Sequence, residues 1–560
     1  MPRTWLLVVA LAVGALCWRI GAYPLLEPDE GRNAEVAREM ARSGDWVLPH
    51  LNGLPYLDKP APYFAAVALS LKVFGETETA ARLPTVLFTL ATALLVWGLG
   101  RRMRAEGGTG VMAAVALLTM PLVLAFSRTV IFDAMLMLVE TATLLCAWRA
   151  FEGEGDRRWA AGAWALIGLG AITKGPVAII VPLLIVLAFA LVAGLPLRRF
   201  FALRAWPLMF VTGLPWFVAV SLRRPDFPHY AFIYESLERV GTTTHGRTAP
   251  WWFFLAVAPA AAFPWTVPAV AGLRDAVRDW GRRRTPEARA AVFAGAWALV
   301  PLVFFSLSQS KLSHYYLPAL PGVALAAGLV LARGGAKGRA WRVAVVAAAL
   351  LALVAIAILA ALPNLGRFRL PPGTADALPG FAIPFAVVLA GGAALAWLAA
   401  RQGDGWRLAT ALALPIPAVA LFSAGVMRSV GDFRSSRSLA AAIEVASPGA
   451  RVVLAGTYPT SLRWYLDRPV LVATKSGRET TSNYVASRLE EFRALPGSPL
   501  RAEAWWQEAL TACTEPTVFM ARRRTAADTA LAAALPLIAT GGADDRTAAY
   551  GPCGRAGGPR

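Results

Sequence analysis

The chain has 560 residues, 57% of them hydrophobic and 16% charged, with a mean hydropathy of +0.52. That balance excludes a soluble globular protein of this size. The net charge of +20 invites a nucleic-acid reading, which the placement of the arginines answers.

Apolar runs long enough to cross a hydrocarbon core as helices predict about thirteen transmembrane spans. In chain order they fall near 5–24, 82–100, 110–127, 134–151, 159–173, 176–194, 206–222, 251–272, 290–308, 317–333, 343–362, 381–400 and 408–427. Only Arg3 precedes the first run as a basic residue, and no small-residue cleavage site precedes Glu27, so it reads as an uncleaved helix and not a signal peptide. Alanine and glycine are abundant in the spans, which suits close helix packing in lipid. Basic residues gather in alternate short loops: Arg101, Arg102 and Arg104; Arg157 and Arg158; Arg198, Arg199 and Arg204; Arg274 through Arg289; and Arg333 through Arg342. These loops are therefore cytoplasmic by the positive-inside rule. The charge reflects topology and attraction to anionic lipid, not nucleic acid. The N-terminus is then inside. The blocks 27–81, 223–250, 308–316 and 363–380 face outward, with everything after Met427.

In the first outward block, Asp29 to Arg42 predicts an amphipathic helix lying in the interface, with Asp29 as N-cap. Arg32, Glu35, Arg38, Glu39 and Arg42 would form charge pairs on its exposed faces. Ala61 to Phe74 is short for a span and is expected to be interfacial or re-entrant. After Met427 the periodicity changes. Helices are predicted over 439–446 and 461–466, and strands over 451–456, 469–473 and 515–520. The expected architecture is a polytopic α-helical membrane domain, 1–427, followed by a small soluble α/β domain, 428–560, outside. The tail from Gly541 is Gly/Ala/Asp-rich and expected to be disordered. Cys17 and Cys146 lie in spans as packing residues. Cys513 and Cys553 both fall in the outward tail, where a disulfide is permitted, but spacing alone does not pair them. No fixed-period repeat, P-loop or dinucleotide fingerprint is present, so no nucleotide is implied.

The ionisable residues of the outward segments could carry chemistry. Asp29 and Glu30 are adjacent carboxylates at a membrane boundary. Helix capping is the plain explanation for them. Asp133, between two apolar runs, is a third acid at a depth where ionisable groups are costly and commonly functional. Lys59, Lys174, Lys311 and Arg32 stand on the outer side, where the positive-inside rule disfavours them. Snorkelling to head groups is the plain reading of each; together they form a cation set suited to phosphate. His245, in Thr243-Thr244-His245-Gly246-Arg247, could join Asp58 as a metal ligand, though spacing does not show it.

Pro28-Asp29-Glu30-Gly31-Arg32, Ala41-Arg42-Ser43-Gly44-Asp45-Trp46, Tyr56-Leu57-Asp58-Lys59-Pro60, Asp133, Thr173-Lys174-Gly175 and Lys311–Pro318 resemble the polyprenyl-phosphate-sugar-dependent glycosyltransferases. The likeness is nearest to the lipid A aminoarabinose transferase branch, with protein O-mannosyltransferases more distant. It covers the membrane part and, more loosely, Thr460 to Pro469. The resemblance implies a polyprenyl (undecaprenyl) phosphate-linked sugar as donor, lipid A or another envelope molecule as acceptor, and a monomer in the bacterial inner membrane acting on its periplasmic face. It implies that Asp29 is the essential acid of the first outward loop and Asp133 the second outward acid, and Glu30, adjacent to Asp29, is a further catalytic candidate. Arg32, Lys59, Lys174 and Lys311 would hold the lipid phosphate, and Tyr56 and Tyr315 would line the donor or acceptor cavity. In the aminoarabinose branch the acid before Lys-Pro is Glu and joins a histidine on zinc. Here it is Asp58, one methylene shorter, with His245 at the matching place, so zinc is expected only as a positioning ion. A protein or other glycan acceptor on the same fold is the nearest alternative. A lipid-linked sugar transporter is the alternative of another class, but the inverted repeats and broken mid-membrane helices common in transporters are not visible.

Overall fold

Hydrocarbon offers no partner to a bare backbone amide, so the apolar runs close their hydrogen bonds internally as helices. The computed structural model describes residues 2–104, 106–152, 157–201, 204–231, 249–278, 285–333, 339–368 and 370–554. Two units result: Met1–Ile20, Leu83–Phe368 and Leu378–Ala424 form the first, and Gly21–Arg82, Arg369–Ala377 and Gly425–Arg560 the second. The expected boundary at 427 is thus corrected at its other end. The first outward block groups with the C-terminal domain and not with the spans.

The fold is that of a polytopic helical membrane protein. Among the described residues, 7 helices are long and apolar enough to cross a membrane, or up to 9 if each of two bent pairs is one span. Both bent pairs were expected as single straight spans. Glu106–Leu118 and Pro121–Ser127 meet at 63°, and Phe253–Ala261 and Thr266–Arg274 at 113°. Pro121 and Pro264 stand at the breaks, where a residue with no amide to donate and a bulky ring cannot continue a helix. Trp5–Cys17, Val177–Ala193 and Pro207–Arg223 are shorter apolar helices.

Small residues set the packing of the first unit. A Cβ at Gly168, in the Arg157–Lys174 helix, would lie 2.2 Å from the Met209 carbonyl oxygen of the Pro207–Arg223 helix. At the same crossing the Thr212 hydroxyl donates to the Ala165 carbonyl at 2.7 Å. Buried indoles find partners too: Trp297 Nε1 donates to the Pro318 carbonyl at 2.9 Å, and Trp265 Nε1 to Thr119 Oγ1 at 2.9 Å.

In the second unit, the predicted amphipathic helix is Asp29–Ser43. Pro28, not Asp29, is its N-cap, and no side chain caps it. Of the charges expected on its exposed faces, Arg42 is exposed, but Glu35 and Arg38 are not. Glu30, Glu35 and Arg38 are all buried, because arginines and carbonyls of the same unit cover the polar side. The short strands β1 (His50–Leu51) and β2 (Leu54–Pro55) form an antiparallel hairpin across Asn52-Gly53. Both turn residues have positive φ, 55° and 75°, the conformation that favours Asn-Gly in a two-residue hairpin. The other predicted interfacial segment is the helix Pro62–Phe74.

The C-terminal part carries a six-stranded sheet, where three strands were expected. Its strands are β3 (Arg451–Ala455), β4 (Leu471–Ala473), β5 (Leu500–Arg501), β6 (Thr517–Arg522), β7 (Leu537–Gly541) and β8 (Thr547–Cys553), in the order β5-β4-β3-β6-β8-β7. The first four neighbours run parallel, while β8 is antiparallel to both β6 and β7. The expected disorder from Gly541 is overturned through Cys553: Ala548, Ala549 and Tyr550 are buried in β8. Small residues that look like a loose tail fit where a strand is covered on both faces. Cys513 and Cys553 form a disulfide, with Cα atoms 6.0 Å apart.

Candidate active site

Asp29 and Glu30 are consecutive residues in the first turn of one helix, so their side chains point about 100° apart. Asp29 is exposed at 43% and forms an ion pair with Arg32, itself 13% exposed. The Arg32 guanidinium also lies 5.9 Å from the centroid of the buried Tyr56 ring. Glu30, expected among the catalytic acids, is 1% exposed and faces Arg82, which is 0% exposed. Arg82 Nε donates to Glu30 Oε1 and a terminal Arg82 nitrogen to Oε2, both at 2.8 Å. Arg82 also donates to the carbonyls of Tyr23 and Pro24, each at 2.9 Å. Two buried charges satisfied by each other and by carbonyls have the geometry of an architectural pair. Arg82 was not singled out from the sequence, yet it carried a signal, being a lone arginine at the outward end of a predicted span.

Asp58 and Lys59 lie beyond the hairpin. Asp58 is buried, and its carboxylate accepts from Ser482 Oγ at 2.5 Å and the Asn483 amide at 2.7 Å. Lys59 Nζ donates to the Asp58 carbonyl at 2.7 Å. His245 lies outside the described residues. Among the described residues no group of three or more His, Cys, Asp or Glu is placed to hold a metal ion. Asp58, with both oxygens engaged by a hydroxyl and an amide, does not supply the donor set that zinc requires.

Further along the same helix, Glu35 lies against Arg38 at 2.5 Å and Arg463 at 3.3 Å. Burial pushes its carboxyl up to about 7, against the opposing pull of Arg38 and Arg463.

The first unit gathers a different set. Asp133 is the first residue of the helix Asp133–Phe151, and Lys174 is the last of Arg157–Lys174. They form an ion pair in which Asp133 is 2% exposed and Lys174 15%. Lys174 Nζ lies 5.0 Å from the Tyr315 ring centroid. His314 Nε2 lies 3.9 Å from the other Asp133 oxygen, and its ring packs on Phe126 and Tyr315. Sequence reading passed over His314 as part of a longer motif. Lys311 donates instead to the Ser308 carbonyl, just past the end of the helix Pro286–Leu307, where a cation complements the helix dipole. Glu140, seven residues after Asp133 and so on nearly the same face, is 2% exposed, and neither carboxylate oxygen has a hydrogen-bond partner among the described residues. An acid in the middle of an apolar run was its available signal.

The expected residues therefore divide. Asp29, Glu30, Arg32, Tyr56, Asp58 and Lys59 belong to the second unit, and Asp133, Lys174, Lys311 and Tyr315 to the first. Each unit presents one acid paired with one cation, Asp29 with Arg32 and Asp133 with Lys174. Such cations can exchange a carboxylate for a phosphate without entering water alone.

Fold and residues together define a polytopic membrane protein with acid–cation pairs, similar to lipid-linked sugar transferases. The family profile described as dolichyl-phosphate-mannose-protein mannosyltransferase matches residues 58–222. A relative from Sodalis glossinidius, undecaprenyl phosphate-alpha-4-amino-4-deoxy-L-arabinose arabinosyl transferase 1, is 36% identical over 311 residues, covering 54% of this chain and 54% of its own length. The transferase of the same kind from Aeromonas salmonicida is 32% identical over 349 residues, covering 60% of this chain and 62% of its own. The matched stretches thus span little more than half the length of these relatives. The Erwinia tasmaniensis transferase is 29% identical over 464 residues, covering 79% of this chain and 80% of its own. The crystal structure of ArnT from Cupriavidus metallidurans bound to undecaprenyl phosphate superposes with a TM-score of 0.82 at 25% identity, covering 100% of both chains. The resemblance drawn from the sequence, to polyprenyl-phosphate-sugar-dependent glycosyltransferases and to their aminoarabinose branch, is borne out.

Proposed function

We propose that this chain is an integral inner-membrane glycosyltransferase that moves a pentose or related sugar from a polyprenyl phosphate donor to lipid A on the periplasmic face. The observation that carries the reading is the pairing of each outward acid with a cation, Asp29 with Arg32 and Asp133 with Lys174. The names of the relatives support the donor and the sugar.

An acceptor oxygen forms a bond to the anomeric carbon as the bond from that carbon to the phosphate oxygen breaks. Polyprenyl phosphate departs with the electron pair, and its added charge needs a cation to receive it, a role open to Arg32, which already holds a carboxylate. A phosphate acceptor is already ionised, so Asp29 then orients the sugar or its amine. A hydroxyl acceptor must lose a proton, and Asp29 takes it. Asp133 holds Lys174 ready beside the Tyr315 ring, and in the other unit Arg32 lies over the Tyr56 ring. No step is routed through a metal.

Thirteen spans follow if the seven long helices and two bent pairs are joined by Trp5–Cys17, Val177–Ala193, Pro207–Arg223 and Arg157–Lys174, which has the length of a span but charged ends. On that count, and on the arginine asymmetry, the N-terminus is cytoplasmic and the C-terminal domain periplasmic. The disulfide suits an oxidising compartment.

The protein-acceptor reading is favoured by one observation, the description of the family profile. Purified protein with radiolabelled polyprenyl-phosphate sugar and lipid A separates the readings. Release of polyprenyl phosphate with label on lipid A supports the proposal. Label on protein favours the second reading. Movement of intact donor across vesicles without release would make the chain a transporter.

A further inference from the structure

Both acidic segments of the second unit are held by the C-terminal α/β domain, and one buried carboxylate anchors the first of them. Glu27 lies two residues before Asp29 and is 6% exposed. Its Oε1 accepts from Ser436 Oγ at 2.6 Å, Ser461 Oγ at 2.6 Å and the Ser461 amide at 3.1 Å. Its Oε2 accepts from the Ala543 amide at 3.2 Å. One side chain thus collects donors from three separate stretches of the C-terminal domain.

The backbone on either side is fixed by the same domain. The Glu27 amide donates to the Arg434 carbonyl at 2.8 Å, and the Thr460 hydroxyl to the Pro28 carbonyl at 2.8 Å. The Leu25 amide donates to the Tyr465 hydroxyl at 2.7 Å. Gly31 completes the seat: a Cβ there would lie 2.6 Å from the Ser461 Cα, Cβ and amide nitrogen, so the helix rests on backbone that cannot move aside. Residues 25–31 are therefore contacted before, within and after Asp29, whose own side chain stays exposed. The bond from Ser482 to Asp58, next to Lys59, repeats the arrangement on the second segment.

We propose that the C-terminal domain is a positioning element for transfer, and that Glu27 is its principal positioning residue, fixing where the Asp29 carboxylate stands. The neighbours are polar but engaged with one another, which is how a second layer holds a reacting group within a fraction of an ångström. A displacement of about 1 Å at a reacting group can cost around a hundredfold in rate. The rate effect rests on the transferase reading above; the structural effect does not.

The test uses the full chain in detergent, with Glu27→Gln, Ser461→Ala, Thr460→Ala and, as a control in the same domain, Glu515→Gln, which loses only the ion pair with Arg451. Polyprenyl-phosphate sugar turnover and amide hydrogen exchange are both read. Glu27→Gln should lower kcat by about tenfold or more, with KM for the donor within about twofold, as for a buried residue that acts through Asp29. Exchange should quicken across residues 25–33 while β3 and β6 keep their protection. Glu27→Gln and Ser461→Ala combined should lose less than the product of the single losses, because they act on one contact. Glu515→Gln should change neither readout. Should Glu27→Gln fold poorly, Thr460→Ala carries the same prediction at a smaller size. A raised KM with unchanged kcat, or unchanged exchange across 25–33, overturns the proposal. A wild type that releases no polyprenyl phosphate sinks the transferase reading alone, and the exchange result then decides the positioning role by itself.

Discussion

Asp29 and Glu30 are neighbours in the chain and opposites in the structure. One is an exposed acid beside a mostly buried arginine, and the other is a sealed acid against an arginine with no exposure at all. The difference lies in what covers each face of the helix. The Glu30 face meets Arg82 and the carbonyls of Tyr23 and Pro24, whereas the Asp29 face keeps an opening. A charged residue is thus available for chemistry when its partner is replaceable, and architectural when its partner has no alternative but an apolar interior.

Removing the sealed partner should give the largest effect. Arg82→Ala leaves Glu30 buried without its cation and should cost about 3–5 kcal/mol, read as loss of folded protein in detergent and a lower thermal midpoint. An Arg82→Ala protein that melts like wild type would show that the buried pair is not architectural. Breaking the open partner should act on rate alone. Asp29→Asn should lower transfer by around a hundredfold, about 2.7 kcal/mol of barrier, with a stability change under about 0.5 kcal/mol, as for exposed positions. Turnover by a well-folded Asp29→Asn protein at the wild-type rate would remove Asp29 from the mechanism.

The comparison sharpens at Glu35, which is sealed like Glu30 but pushed up to about 7 by burial. A carboxyl whose folded value exceeds its unfolded value binds its proton more tightly when folded. Its contribution to stability is therefore full below about pH 4.5 and is lost as pH rises towards 7. Between pH 5 and 7 wild type should lose roughly 1–2 kcal/mol more than Glu35→Gln, measured as the difference between their thermal unfolding curves. Identical pH slopes would place the Glu35 proton elsewhere. The smallest effect is expected at Asp58, whose oxygens are already engaged. Chelation with EDTA should lower turnover by no more than about threefold, under about 0.7 kcal/mol of barrier. Complete loss restored by magnesium or manganese would reveal a catalytic divalent ion.

Much of the membrane fold was legible because the length of an apolar run and the need to satisfy its backbone leave one answer. The bends at Pro121 and Pro264 were written in the sequence as well, but continuous hydrophobicity masked them. The helix from Asp29 was legible in type and extent. The fate of Glu30 was not, because its partner Arg82 stands 52 residues away and periodicity carries no information on what covers a face. Glu27 was hidden for the same reason, with donors more than four hundred residues on. Strand β8 was missed because Ala548, Ala549 and Gly551 look like loop residues. Only the sheet, which buries them between strands, makes small side chains the right ones.

That strand order bears on synthesis. β8 follows every other strand in the chain yet sits between β6 and β7, so the sheet stays open until the ribosome has delivered residues 547–553. Until then β6 and β7 each present an unpaired edge, the feature that invites one chain to add to another. A premature stop before Thr547 would therefore yield no merely shortened protein. It would leave a sticky half-sheet, for quality-control proteases to remove.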